Sequence, residues 1–281
     1  MSDRSSGGSD QQRQQRAMRQ VYLYLVFAFG WTWAFGLLAL ILGLSFSDPA
    51  GVALYVLAIF GPLVAALVLV WRGQSGESLP AFLLRIVDIR RIPPIWIIGM
   101  VAAAVLPQLL AKILGGNIGD VGLPAGGTAM AMFGAGVIAG VGEEPGWRGY
   151  MLDRLQLRWN ALVASLILGA VWAIWHLPSF FVEGTYHHSL GLLGLDFWMF
   201  MFDVVIFAVL ATWVYNNTNR SIAALMIVHG LTNATAETVD LQGTESILGS
   251  VILFVIVAIV VLIWGPKSLR GRDRTVEAIE P

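Results

Sequence analysis

Eight stretches of this chain are apolar for long enough to cross a lipid bilayer, and no other feature constrains the fold as much. They lie at about 21–44, 51–71, 94–114, 128–153, 161–181, 195–215, 221–238 and 247–265. Each has at least the roughly 17–20 residues a helix needs to traverse the hydrocarbon core. Within that core every backbone N–H and C=O must find its partner inside the protein, so only helices and closed barrels survive. Barrel strands alternate over segments of about ten residues, whereas these runs are unbroken. Only 12% of the 281 residues are charged and 57% are hydrophobic; a soluble domain carries about a quarter charged residues. The expected fold is therefore all-α. It is a polytopic membrane bundle of about eight transmembrane helices. The short loops point to an integral, multi-pass protein of a prokaryotic plasma membrane.

The basic residues orient the bundle. With the N-terminus cytoplasmic, the inner segments hold Arg4, Arg13, Arg16 and Arg19, then Arg72, Arg85, Arg90 and Arg91. They also hold Arg148, Arg154, Arg158 and Arg220, and lastly Lys267, Arg270, Arg272 and Arg274. That is 16 of the 17 Lys and Arg residues. Lys112 alone falls at an outer end, where a long side chain can snorkel to the interface. The bias supports an even number of spans with both termini cytoplasmic.

Residues 1–20 are rich in Ser, Gly, Gln and Arg and read as a disordered cytoplasmic tail. Val21 to Leu44 is too long for a signal-peptide core and is followed by no evident cleavage site, so it reads as a retained span. Residues 21–265 form one transmembrane domain, and 266–281 a basic cytoplasmic tail. The absence of cysteine excludes disulfides, thiolate metal sites and a cysteine nucleophile. A net charge of −1 points to no nucleic acid. Oligomeric state is not legible.

Ionisable groups at membrane depth are costly and are usually paired or functional. Here they are few. The fourth run carries Glu143, Glu144 and Arg148; the fifth His176; the sixth Asp203; the seventh His229, with Asn233 one turn on. Glu143 and Glu144 point about 100° apart on a helix and cannot easily share a role. Glu144 and Arg148 stand at i, i+4 and can pair on one face, which leaves Glu143 without a local partner. Pro145 lacks an N–H and is expected to kink the helix or begin a new one. Trp172 and His176 share a face, as do His229 and Asn233. If "EEPGWRGY" is helical, Glu143, His176 and His229 lie roughly 14 to 23 Å from the inner surface at 1.5 Å per residue. They can then converge. Taken singly, a Glu–Arg pair is a structural clip and a buried His a packing residue. Together, Glu, His, His and Asn are the groups that activate water and hold an oxyanion. Gly136 and Gly140 stand at GxxxG spacing and read as a close-packing stripe. Asp203 has no evident partner, and His187 and His188 read as solvated loop residues.

Three elements, "EEPGWR" as EExxxR, "WAIWH" in the place of FxxxH and "HGLTN" as HxxxN, occur in order within a motif core of about 128–240. The set resembles the CPBP family of intramembrane endopeptidases, which groups type II CAAX prenyl proteases with bacteriocin-processing and abortive-infection-type proteins. The resemblance implies that Glu143 deprotonates water with help from His176, and that His229 and Asn233 stabilise the oxyanion. Glu144, Arg148 and Trp172 would support the site or orient substrate. Trp172 departs from the Phe usual in the second motif, which touches the pocket's shape more than its chemistry. A zinc ion held by Glu143, His176 and His229 is compatible with the residue types. Yet there is no HExxH, and the resemblance favours a glutamate mechanism without a cofactor. The implied partners are a peptide or lipidated-protein substrate and the bilayer. Two other classes compete: a non-catalytic membrane scaffold of the same family, and an ion- or proton-coupled transporter using Asp203 with the same residues.

Overall fold

A computed structural model describes residues 3–117, 119, 121 and 126–270, with side chains from residue 10 onward. No strand occurs among the described residues. The helices are α1 (Asp3–Ile41), α2 (Pro49–Ile59), α3 (Gly61–Trp71), α4 (Leu79–Val87), α5 (Trp96–Leu114) and α6 (Gly126–Gly146). A π-helical segment, Trp147–Leu152, continues α6 into the short α7 (Asp153–Leu155). Then follow α8 (Ala161–Trp175), α9 (Tyr186–Ser189), α10 (Leu195–Asn217), α11 (Ile222–Val239) and α12 (Thr244–Trp264).

Local chemistry places the boundaries. Ser78, Asn160 and Ser221 each cap a helix by accepting a backbone N–H three residues on. Proline occupies the first turn of α2, α3 and α4, where the missing N–H costs nothing. The second apolar run is broken at Phe60, and α2 and α3 meet there at 43°.

Among the described residues, five helices are long and apolar enough to cross a membrane: α1 from Asp10 onward, α5, α8 with its continuation to Phe181, α10 and α12. The bent pair α2–α3 makes a sixth. The remaining two apolar runs fold as α6 and α11, whose apolarity is diluted by the motif residues they carry. Large apolar side chains point outward, as with Leu262 at 78% and Met130 at 77% exposed. The inside combines aliphatic and aromatic side chains with alanines and with most of the polar groups at depth. This pattern is that of a multi-pass membrane protein.

At both ends the described helices and turns reach beyond the apolar runs. Helix α1 begins at Asp3, so the segment expected as a disordered tail extends the first span. Its contacts supply the reason: Ala17 is buried, and Gln20 Oε1 accepts a hydrogen bond from Arg154 at 3.0 Å. Beyond α12 the chain turns back. The Ala161 and Leu162 N–H groups donate to the carbonyls of Lys267 and Pro266, and Leu269 is fully buried. The rest of the expected C-terminal tail, 271–281, lies outside the described residues.

Helices α6 and α11 form the most extensive helix pair, with α3 and α5 beside them, while α8 pairs with α10. Glycine permits the central approach. A Cβ on Gly136 would stand 2.8 Å from Gly230 Cα, and one on Gly140 3.0 Å from Met226 Cα and 3.3 Å from His229 Cβ. The GxxxG stripe is thus a packing device, as expected. It also brings His229 against the Glu143–Glu144 turn.

Candidate active site

"EEPGWRGY" is helical and buried throughout. Pro145 neither ends α6 nor starts a new helix. The α-helix passes through it and widens to the π-form at Trp147. The proline ring clashes with the carbonyl four residues back and removes one N–H. A π-turn immediately after it accommodates the mismatched ladder, and such turns are frequent at functional sites.

The two glutamates face different neighbours. Arg148 Nη1 donates to Glu144 Oε1 at 3.0 Å, as the i, i+4 spacing requires. His229 Nδ1 lies 2.9 Å from the same oxygen. A carboxylate oxygen only accepts, so His229 carries its proton on Nδ1 and leaves Nε2 for a ligand. Glu143 Oε2 accepts from the Trp172 indole Nε1 at 2.7 Å. Among the described residues, Oε1 of Glu143 has no such partner. Glu143 and Glu144 are 4% and 1% exposed and Arg148 is fully buried, so the pairing takes place away from solvent.

His176 caps the end of α8. Its Nδ1 is 2.8 Å from the Trp172 carbonyl, four residues back. A carbonyl also only accepts, which again places the proton on Nδ1 and leaves Nε2 as the basic nitrogen. The Trp172 ring joins the parts. Its centroid is 5.8 Å from that of His176 and 6.0 Å from that of His229, and the Arg148 guanidinium carbon stands 4.3 Å above it. Asn233 lies one turn beyond His229, against Gly136.

The three motifs therefore meet, on α6, α8 and α11. Asp203 does not join them. It accepts from Ser250 Oγ at 2.9 Å, between α10 and α12. His187 corrects the expectation of a solvated loop residue. Helix α9 folds back so that its ring lies 5.1 Å from His176, beside Phe180 and Phe200. Tyr24 of α1 is also near, fully buried, with its ring 5.6 Å from Trp147 and 5.4 Å from Tyr150. No sequence spacing marks either residue, because both arrive from elements that tertiary folding brings in. The Trp172 N–H bonds Glu143 directly, a contact that phenylalanine cannot make.

Buried polar atoms without a protein partner gather here, among them Glu144 Oε2, Arg148 Nε and Nη2, Trp147 Nε1 and Tyr24 Oη. Such atoms are rare in folded proteins and mark sites that have to be polar for a reason other than packing. No three His, Asp or Glu side chains among the described residues gather closely enough to hold a metal ion.

Comparison with known proteins places this arrangement. Residues 125–235 match the family model described as type II CAAX prenyl endopeptidase Rce1-like. The match begins just before α6 and ends within α11, so it encloses all three motifs. The chain is also 26% identical to CAAX prenyl protease 2 of the archaeon Methanococcus maripaludis, over 235 residues covering 78% of this chain and 85% of the relative. The chain is an integral-membrane peptidase. More particularly, the resemblance read from EExxxR, WxxxH and HxxxN holds, and the peptidases it is similar to are the CAAX prenyl endopeptidases.

Proposed function

We propose that this protein is an intramembrane endopeptidase that hydrolyses a peptide bond in a membrane-associated substrate, a prenylated CAAX protein or a leader peptide, near the cytoplasmic face. In this reading all eight apolar runs span and both termini are cytoplasmic, as the distribution of basic residues supports. The plasma membrane of a prokaryote fits the short loops and the archaeal relative. The observation that carries the proposal is the hydrogen-bonded junction of three motifs on three helices. It joins Glu143 to Trp172 and Glu144 to both Arg148 and His229.

The chemistry follows from which atoms are committed. Glu143 Oε1, with Oε2 anchored, takes a proton from water, and His176 Nε2 helps to orient that water. The water oxygen attacks the scissile carbonyl carbon. The carbonyl oxygen becomes an oxyanion, held by His229 Nε2–H in the imidazolium form and by the Asn233 amide. Glu143 then returns the proton to the amide nitrogen as the C–N bond breaks. Glu144 and Arg148 hold His229 in register. The resemblance to the family motifs favours this glutamate route over zinc, although the free Nε2 atoms of His176 and His229 are of the type that also binds metal. A relay of ions through Asp203 is disfavoured by its separate pairing with Ser250.

The test is Glu143→Gln in purified protein reconstituted with a farnesylated peptide ending in a CAAX-type tetrapeptide, the released tripeptide being measured by mass spectrometry. Loss of a general base costs roughly 10²–10⁴-fold. The wild type is expected to cleave and Glu143→Gln to fall by at least about a hundredfold while still folded. Cleavage at the wild-type rate by Glu143→Gln removes the proposal. Activity that is lost in chelator and returns with Zn²⁺ removes the metal-independent part. In cells, the same variant should retain substrates for identification.

A further inference from the structure

Trp172 occupies the centre of the cluster, and its contacts use every part of the residue. The indole N–H reaches Glu143 Oε2 at 2.7 Å. The ring face carries the Arg148 guanidinium at 4.3 Å, the cation that pairs with Glu144. The backbone carbonyl accepts from His176 Nδ1 at 2.8 Å. The ring is 4% exposed, so all three contacts are made out of bulk solvent. Of these, the carbonyl contact survives any substitution and the ring face survives replacement by phenylalanine. Only the N–H is particular to tryptophan.

The terminal torsion of a glutamate is broad rather than confined to narrow wells. A carboxylate with neither oxygen tied samples many orientations, and few of them aim a lone pair at one water. The described hydrogen bond of Arg148 goes to Glu144 rather than to Glu143. Glu143 and Glu144 are also adjacent and face apart. An anchor must come from another helix, and α8 supplies it.

We propose that Trp172 is a positioning residue for hydrolysis. Its indole N–H holds the Glu143 carboxylate by Oε2 so that Oε1 is presented to water, and its ring face holds Arg148 behind the Glu144–His229 pair. One side chain thereby couples the orientation of the base to that of the oxyanion-binding histidine. This deepens the endopeptidase reading and rests on it.

The experiment is Trp172→Phe, which keeps the ring face and deletes the donor, assayed on the farnesylated CAAX-type peptide beside the wild type and Glu143→Gln. A hydrogen bond to a charged group is worth enough to change a rate by about 10- to 100-fold. The expected result is a fall in kcat of that size with KM within about twofold of wild type, beside a loss of thermal midpoint no larger than one buried hydrogen bond gives, and with no loss of folded protein at the assay temperature. Trp172→Leu, which also removes the ring face, should lose kcat further and melt lower. Wild-type kcat in Trp172→Phe, with Glu143→Gln inactive, overturns this inference and leaves the endopeptidase reading standing. A fall in kcat that is fully accounted for by a smaller folded fraction at the assay temperature makes the indole structural and also overturns it. An inert wild type, or an active Glu143→Gln, overturns the endopeptidase reading itself.

Discussion

Replacing Arg148 with methionine removes the cation from a junction that has no solvent to take its place. Arg148 is 0% and Glu144 1% exposed, and they are 3.0 Å apart. Breaking a buried ion pair by deleting one partner costs about 3–5 kcal/mol, because the other charge stays buried. His229 still donates to Glu144, so the lower end applies, about 3 kcal/mol. The stacking of Arg148 on Trp172 adds about 1–2 kcal/mol for a desolvated cation–π contact. Methionine recovers some packing volume, so a net loss of about 4 kcal/mol is expected. At about 2–4 °C per kcal/mol for chains of 150–250 residues, the thermal midpoint should fall by roughly 8–16 °C. The assay is thermal unfolding in detergent, followed by far-ultraviolet circular dichroism, with tripeptide release measured in parallel. Adding Glu144→Gln removes the stranded charge while keeping an acceptor for His229, so the double variant should recover at least half of the lost midpoint. A loss below about 1 kcal/mol in Arg148→Met would refute the reasoning. So would a double variant no more stable than the single one.

Three further outcomes test the packing and the limits of the site. Gly140→Val places atoms against Met226 and His229, where even a Cβ would stand 3.0 Å from backbone, so it should cost about 1–3 kcal/mol by overpacking and reduce kcat. Gly134→Ala meets nothing within 4 Å and should be neutral or slightly stabilising in the same melts. Lys112 pairs with Glu245 at 2.8 Å between α5 and α12, both nearly buried. Lys112→Met should lower the melting midpoint modestly, since Asn117 still donates to Glu245, while kcat stays within twofold of wild type. A fall in kcat without a fall in stability would tie that end of the bundle to the chemistry.

Much of this protein is legible along the chain, because membrane solvent forces local order. Backbone groups must pair within each run, so the apolar lengths by themselves imply helices close to the observed boundaries of α5, α8, α10 and α12. The i, i+4 rule likewise anticipates the Glu144–Arg148 pair, and the order of EExxxR, WxxxH and HxxxN anticipates the peptidase resemblance. These are short-range consequences of helix geometry and burial. The tertiary structure decides what depends on the approach of elements distant in sequence. The partner of Glu143 comes from α8. The second donor to Glu144 comes from α11. His187, which reads as a solvated loop residue, instead lies against His176. The reason is that side-chain direction at a helix crossing is set by packing, here by glycines that let α6 and α11 touch, and no spacing within one segment encodes it. The sequence alone determined that two carboxylates lie in the membrane and that one pairs with arginine. Only the fold decided that the other is held by an indole, because that bond joins residues 29 positions apart on different helices.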